Sequence, residues 1–389
     1  MNSTRYLIVG AGMTGDAAAK GIREHDPDGS IVLVGAEEHE PYKRPPLTKG
    51  LWKGGEEAKI WRGTTELPGV DLRLGRKIVS LDLEGRRATD DRGEDYSYEK
   101  LLLATGGEPR RLKNAEGVVY YRTLDDYRGL RERATEGTRV VVIGGGFIGS
   151  EIAASLVGAG SKVTIVFPED GIGARLFPAA LSEFVNDYYR ERGVEVLAGE
   201  TVESVESTGD GARVTLGSGR TLEADVVVAG LGIEPRTDLA DAAGLPVDNG
   251  IVVDEYGRVE GYEDVYAAGD VASFPAAGLD RRMRVEHEDH ANSHGKAVGA
   301  NMAGADAPYE HLPFFYSDLF DLGYEAVGEL DPRMDTVESW QEPNRKGVVA
   351  YVDDERRPRG FLLWNVWDRV DDATERIRAG EPVGEEALV

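Results

Sequence analysis

Cysteine is absent from the 389 residues. The chain therefore has no disulfide, no thiolate metal ligand, no cysteine nucleophile and no redox-active dithiol. Lysine is scarce: 11 of the 45 cationic residues are Lys and 34 are Arg, set against 71 Asp and Glu. A net charge of -26 leaves no basic surface for nucleic acid, whose phosphates a field of this sign repels. The acids are spread along the chain and not gathered in a tail. The plain reading is a solvated acidic surface, and the sharper one is adaptation to molar salt, as in halophilic prokaryotes. No apolar run approaches 18 residues, so no membrane span is expected. Residues Met1 to Met13 carry one Arg and run straight into glycines. They read as a first strand and not as a signal peptide, which points to the cytoplasm. Apolar residues make up 41% and glycine adds 50 residues, a globular composition. The length predicts two or three domains. The last residues, from Gly384, are expected to fray.

One unit of pattern occurs twice. Arg5 to Gly10 is a short apolar run that ends in Gly10-Ala11-Gly12-Met13-Thr14-Gly15, with a helical stretch over 16–25 and a buried strand over 30–35 behind it. Arg139 to Ile143 leads likewise into Gly144-Gly145-Gly146-Phe147-Ile148-Gly149, a helix over 150–159 and a strand over 162–167. In Gly-x-Gly-x-x-Gly the first glycine makes a tight turn, the second lets backbone approach a pyrophosphate, and the third packs helix on strand. An acid follows at the ribose-binding distance in each copy: Glu37, 22 residues past Gly15, and Glu169, 20 past Gly149. Two copies in one chain suggest a flavin and a nicotinamide nucleotide, which hydride transfer joins.

Three further segments read as buried strands that stop at small residues: Leu101 to Gly107, Ala224 to Pro235, and Val265 to Asp270. From about Pro308 aromatics cluster and alternating runs follow, such as Gly347 to Val352. This predicts a third domain, an antiparallel sheet with a closing helix near Ala373–Ala379, with Phe314, Phe315 and Tyr316 in its core. His25 and His39 read as surface residues. His287, His290 and His294 have a metal-like spacing but no fourth ligand, so no metal is expected.

The whole set, in this order, resembles the two-dinucleotide flavoprotein reductases of the pyridine-nucleotide oxidoreductase superfamily. Pro41 to Lys49 is similar to their ferredoxin-reductase-like branch. The match is closest to the apoptosis-inducing factor family, through the runs 44–52, 104–110, 284–291, 323–328 and 363–367. The resemblance implies an α/β fold with two Rossmann-like domains, an FAD domain split over 1–107 and 233–305 and an NAD domain over 108–232. A smaller α+β domain would fill 306–389. It assigns FAD to Gly10, Gly12, Met13, Thr14, Gly15, Glu37, Arg44, Lys49, Ile78, Ala104, Thr105, Gly106, Arg122, Gly269 and Asp270, with Trp61 aligned more loosely and Tyr316 at the flavin. It assigns the nicotinamide nucleotide to Gly144, Gly146, Phe147, Ile148, Gly149, Glu169, Arg175 and Gly232. Glu286, His287, Glu325 and Asn365 would lie near the flavin–nicotinamide interface.

Lys49 and Glu151 are the implied catalytic pair, fixing a positive charge by flavin N5. As a first-turn acid, Glu151 is also what a helix dipole favours. The chain departs from the family at Glu288, where a second His is usual, and at Tyr316, where a Trp is usual. The long insertion of the animal proteins is missing between Trp340 and Gly347, and no mitochondrial presequence is seen, so a cell-death role does not follow. The implied reaction is hydride transfer from NADH to FAD and then to an external acceptor: an iron–sulfur protein, a quinone, a dye or oxygen. The alternatives are a ferredoxin or rubredoxin reductase of an oxygenase system and a slow-turnover NADH sensor. A homodimer is compatible with either.

Overall fold

The computed structural model describes residues 2–384, so the expectation for the residues after Gly384 falls outside it. The chain divides into two compact units. One comprises Met1–Lys43, Glu57–Glu108 and Glu234–Pro313; the other comprises Arg44–Glu56, Pro109–Ile233 and Phe314–Val389.

In the first unit the strand Asn2–Val9 pairs in parallel with Ile31–Val34 on one side and Asp95–Leu103 on the other. Val70–Arg73 extends the sheet beyond Ile31–Val34, and Val265–Ala267 adds to Asp95–Leu103, both in parallel. An antiparallel pair, Ile78–Asp82 and Arg87–Asp90, continues it from the start of Asp95–Leu103. Ile31–Val34 is buried at every position, as expected of a strand covered on both faces. The helices Met13–His25 and Glu288–Met302 pack against each other over Ile22, Val298 and Met302. The approach depends on glycine. A Cβ on Gly21 would lie 2.2 Å from the Lys296 carbonyl oxygen, and one on Gly299 2.2 Å from that of Ala18.

In the second unit a parallel sheet runs Glu195–Ala198, Lys162–Phe167, Arg139–Ile143, Val226–Ala229, Val118–Tyr120. A three-stranded meander, Val202–Thr208, Gly211–Leu216 and Thr221–Ala224, packs Val205, Val214 and Leu222 against Val141, Val166 and Val227 of that sheet. The C-terminal part is the expected antiparallel sheet, ordered Phe314–Leu319, Leu322–Gly328, Pro358–Trp364, Lys346–Val352, Asp335–Glu342, with the helix Val370–Ala379 against it. Phe314, Phe315 and Tyr316, expected in its core, are only half-buried, because their strand is the edge of the sheet.

Both nucleotide-turn helices begin three residues earlier than the pattern suggested, at Met13 and Phe147. The second glycine of each motif takes an extended conformation and serves as the N-cap, so the helix starts inside the motif. Among the described residues no helix is long and apolar enough to cross a membrane.

Candidate functional site

The two glycine turns have the same construction. Gly10 and Gly144 sit at φ +119° and +111°, and a Cβ there would come within 2.1 Å of the Ala104 oxygen or 2.3 Å of the Gly230 oxygen. Gly15 and Gly149 face the carbonyl of their own motif's first glycine, where a Cβ would lie 2.0 and 1.8 Å away. Gly12 and Gly146 differ: a Cβ on either meets nothing within 4 Å. Neither helix has a side-chain N-cap hydrogen bond, and the N-terminus of each, at Met13 and Phe147, carries the positive end of the helix dipole, which favours an anion. The residues present at each turn fit the pyrophosphate of a dinucleotide, with small backbone-only surface at Gly12 and Gly146.

In the first unit Glu37, just past Ile31–Val34, accepts a hydrogen bond from the Tyr42 hydroxyl at 2.6 Å. Tyr42 forms a bridge with Trp61 and meets its ring edge-on at 6.2 Å, which puts the loosely aligned Trp61 beside the Glu37 end of the turn. Asp16 is fully buried in the first turn of its helix. Thr64 Oγ1 (2.7 Å), Arg62 Nε (2.5 Å) and Lys20 Nζ (2.9 Å) neutralise it, so it adds little repulsion to a bound phosphate. Ala104 is buried at the end of Asp95–Leu103, Thr105 Oγ1 donates to the Arg236 carbonyl, and Gly106 has φ +65°. Ile78 belongs to the buried face of the antiparallel pair.

Gly269 has φ +73° and packs on Thr14, which ties the Gly269–Asp270 turn to the first glycine motif. Arg284 donates to the Asp270 carbonyl at 3.2 Å and pairs with Glu286 at 2.6 Å. His287 caps the helix Glu288–Met302 through Nδ1, which accepts the Asp289 N–H. His290 and His294 lie inside: His290 stacks on Phe274 and meets Tyr309 edge-on, and His294 is tilted against both rings. His294 Nδ1 accepts the N–H of Gly269 at 3.3 Å. Burial pushes His290 down to about 3 and His294 well below its ordinary value, so both rings are neutral. Two of the three regularly spaced histidines thus serve packing and one serves a helix cap. Among the described residues no cluster of three His, Asp or Glu is arranged to hold a metal.

In the second unit Lys49 and Glu151 meet as expected, Nζ to Oε1 at 3.1 Å, with Glu151 only 7% exposed. The surroundings are richer than the pair. Thr48 Oγ1 donates to Glu151 Oε2 at 2.6 Å and Ser317 Oγ to Oε1 at 2.5 Å. The Lys49 ammonium also lies 4.5 Å from the centre of the Tyr316 ring and 3.6 Å from an Asp318 oxygen. Thr48, Ser317 and Asp318 were not singled out from the sequence, although Thr48 adjoins Lys49, Ser317 adjoins Tyr316 and Asp318 lies two residues past Tyr316.

Arg44 Nη1 donates to the Arg122 carbonyl at 2.7 Å. Phe147 and Ile148 open the second helix, with Phe147 edge-on to Phe315 at 5.8 Å. Glu169 ends Lys162–Phe167's loop exit in an ion pair with Arg175, at 2.5 Å from Nη2 and 2.8 Å from Nε. Gly232 has φ +79° with open space around it. Glu325 lies opposite Tyr316 across two strands. Burial, and secondarily Asp368, raises its carboxyl above the usual range. Its Oε2 has no hydrogen-bond partner among the described residues. Asn365, at φ +51°, accepts the Gly323 N–H and donates to the Arg345 carbonyl, both at 2.8 Å.

Residues 4–295 match the family profile of pyridine nucleotide-disulphide oxidoreductases. The chain belongs to that family. Residues 298–345 match the C-terminal part of mitochondrion-associated apoptosis-inducing factor. As a pyridine nucleotide-disulphide oxidoreductase family member the chain resembles apoptosis-inducing factor 1 of Dictyostelium discoideum, 34% identical over 96% of this chain and 78% of the relative. It also resembles the ferredoxin–NAD(+) reductase component of the anthranilate 1,2-dioxygenase system of Burkholderia cepacia, 35% identical over 87% and 85%. The fold superposes on putidaredoxin reductase in its covalent complex with putidaredoxin, with a TM-score of 0.92 and 29% identity over 99% of this chain and 95% of that one. A ferredoxin reductase of Rhodopseudomonas palustris gives 0.90 and 31% over 99% and 96%. The chain is accordingly an FAD-dependent NAD(P)H oxidoreductase that passes electrons to an external acceptor. The family name includes a disulfide, but this member has no cysteine to form one.

Proposed function

We propose that the donor is NADH and that the acceptor is a small iron–sulfur protein of ferredoxin type. The observation that carries the chemistry is the buried Glu151 carboxylate, held by two hydroxyls, which fixes the Lys49 ammonium against the Tyr316 ring. A cation so fixed can stabilise negative charge with no reorganisation during reaction. FAD, when bound, supplies the hydride-accepting ring.

In this reading residues 1–107 and 233–305 form the FAD portion, 108–232 the nicotinamide portion and 306–389 a C-terminal domain. Gly12, Met13, Thr14, Glu37, Gly269 and Asp270 hold FAD, with Tyr42 orienting Glu37. Gly146, Phe147 and Glu169 hold NADH, and Glu169 takes the ribose hydroxyls. The acceptor class is supported by the relatives named for ferredoxin and by the likeness to a reductase captured with putidaredoxin.

The test is an anaerobic NADH titration followed by stopped-flow reoxidation with a [2Fe–2S] ferredoxin, a quinone, ferricyanide and oxygen. Bleaching of the flavin by NADH and fastest reoxidation by the ferredoxin are expected. Reoxidation by the ferredoxin no faster than by oxygen would remove the acceptor assignment. A second reading, a slow sensor, draws on the C-terminal match over 298–345. It predicts instead a reduced flavin–NAD complex that outlasts exposure to every acceptor.

A further inference from the structure

We infer that Asp318 is a second counter-ion of Lys49, one that holds the flavin's reduction potential down and makes it depend on salt. The inference rests on the reading of Lys49 as the cation that serves the flavin. Lys49 and Glu151 alone are a neutral pair, with the ammonium as the end that can face an electron-rich ring. Asp318, 3.6 Å from the same ammonium, turns the group into a triad with one net negative charge. Reduction adds electron density to the flavin, and a negative charge beside Lys49 opposes that.

The two carboxylates are not equivalent. Glu151 is 7% exposed and its oxygens are tied to Thr48 and Ser317, so it is fixed and shielded from ions in solution. The Asp318 side chain is 50% exposed. Lys49, 14% exposed, is held by the Tyr316 ring at 4.5 Å and by Glu151 at 3.1 Å, contacts that do not depend on Asp318. Screening lengths fall from about 10 Å at 0.1 M salt to about 3 Å at 1 M, and exposed charges are screened far more than buried ones. Molar salt therefore mutes Asp318 and leaves the Lys49–Glu151 pair in force. In a chain carrying a net charge of -26, which suits a salt-rich solvent, the flavin reaches its full electron affinity under those conditions.

The test measures the midpoint potential of the FAD-loaded protein by equilibration with a reference dye, without NADH, from 0.1 to 2 M KCl. For the unmutated protein the reduced-to-oxidised ratio at fixed ambient potential should rise about tenfold across that range, or about 30 mV for a two-electron couple. Asp318→Asn should start near the high-salt value and stay flat, while Asp318→Glu restores the salt response. Lys49→Met should lie below the unmutated protein at every salt. FAD content and circular dichroism establish that each variant is folded, and Asp318→Ser is a second neutral variant. If Asp318→Asn tracks the unmutated protein while Lys49→Met falls, the inference about Asp318 is overturned and Lys49 keeps its place. If Lys49→Met leaves the potential unchanged, the assignment of Lys49 to the flavin is overturned, and the inference with it.

Discussion

Acidification should unfold the first unit through His290 and His294, each 1% exposed. In the folded protein both rings are neutral, because burial holds His290 at about 3 and His294 well below 6.5. Unfolding returns each to the ordinary value of about 6.5. Their contribution is therefore complete above pH 6.5 and is lost as the pH falls from there toward the folded value, because only the unfolded chain takes up the protons. Each ring removes up to about 1.4 kcal/mol per pH unit in that window. Two rings give roughly 2–4 kcal/mol between pH 6.5 and 5, a large share of a typical stability of about 5–15 kcal/mol. Few carboxylates titrate there, so the histidines dominate. The assay is urea unfolding at fixed salt and saturating FAD, followed by flavin release, at half-unit pH steps. His290→Phe keeps a ring against Phe274 while losing the contact with the Tyr309 hydroxyl, and should roughly halve the slope with pH. A urea midpoint that stays level from pH 7 to 5, or a His290→Phe variant as pH-sensitive as the parent, would refute the reasoning.

The glycines of one turn should separate by function. Gly12→Ala should leave unfolding unchanged yet weaken FAD binding at least tenfold by equilibrium titration, whereas Gly15→Ala, 2.0 Å from a carbonyl, should lower the melting temperature even of apoprotein. A Gly12→Ala protein that binds FAD normally removes the pyrophosphate from this turn. For the donor, kcat/KM for NADH should exceed that for NADPH at least tenfold, a difference of about 1.4 kcal/mol. Glu169→Ala should narrow the gap by improving NADPH, and Arg175→Ala should widen it, since Arg175 partly offsets the Glu169 charge. Equal use of the two donors would dissolve that role for Glu169. With a net charge of -26, thermal stability should climb from dilute buffer to molar KCl; calorimetry showing a flat profile would reduce the acidic surface to ordinary solvation.

The two glycine turns were legible because each is written in six consecutive residues, although the Ala104 and Gly230 carbonyls that crowd Gly10 and Gly144 come from the ends of distant strands. Their strands and the closing helix at Val370–Ala379 were legible from periodicity. What surrounds Lys49 was not. Thr48 and Ser317 reach Glu151 from 103 and 166 residues away, and no local pattern encodes such a meeting. The same holds for Asp318. The Phe314–Tyr316 run misled because apolar character alone does not say whether a strand is central or at an edge. The helical spacing of the histidines was real, and what it encodes is a buried face packed against Phe274 by His290 and His294.

The packing of Met13–His25 against Glu288–Met302 has a consequence for synthesis. The first helix leaves the ribosome with Ala18, Ala19 and Ile22 ready for burial, but part of what buries them arrives roughly 280 residues later. At about 5–20 residues per second that is a wait of roughly 14–55 s. Gly21 cannot soften it, since its role is to let the late helix come close. The segment Pro109–Ile233 is complete long before then and can assemble its own parallel sheet while the first strands are still waiting. The N-terminal unit thus cannot be completed until residues 288–302 have been made, and for most of translation the apolar face of its first helix, Ala18, Ala19 and Ile22, lacks part of its cover.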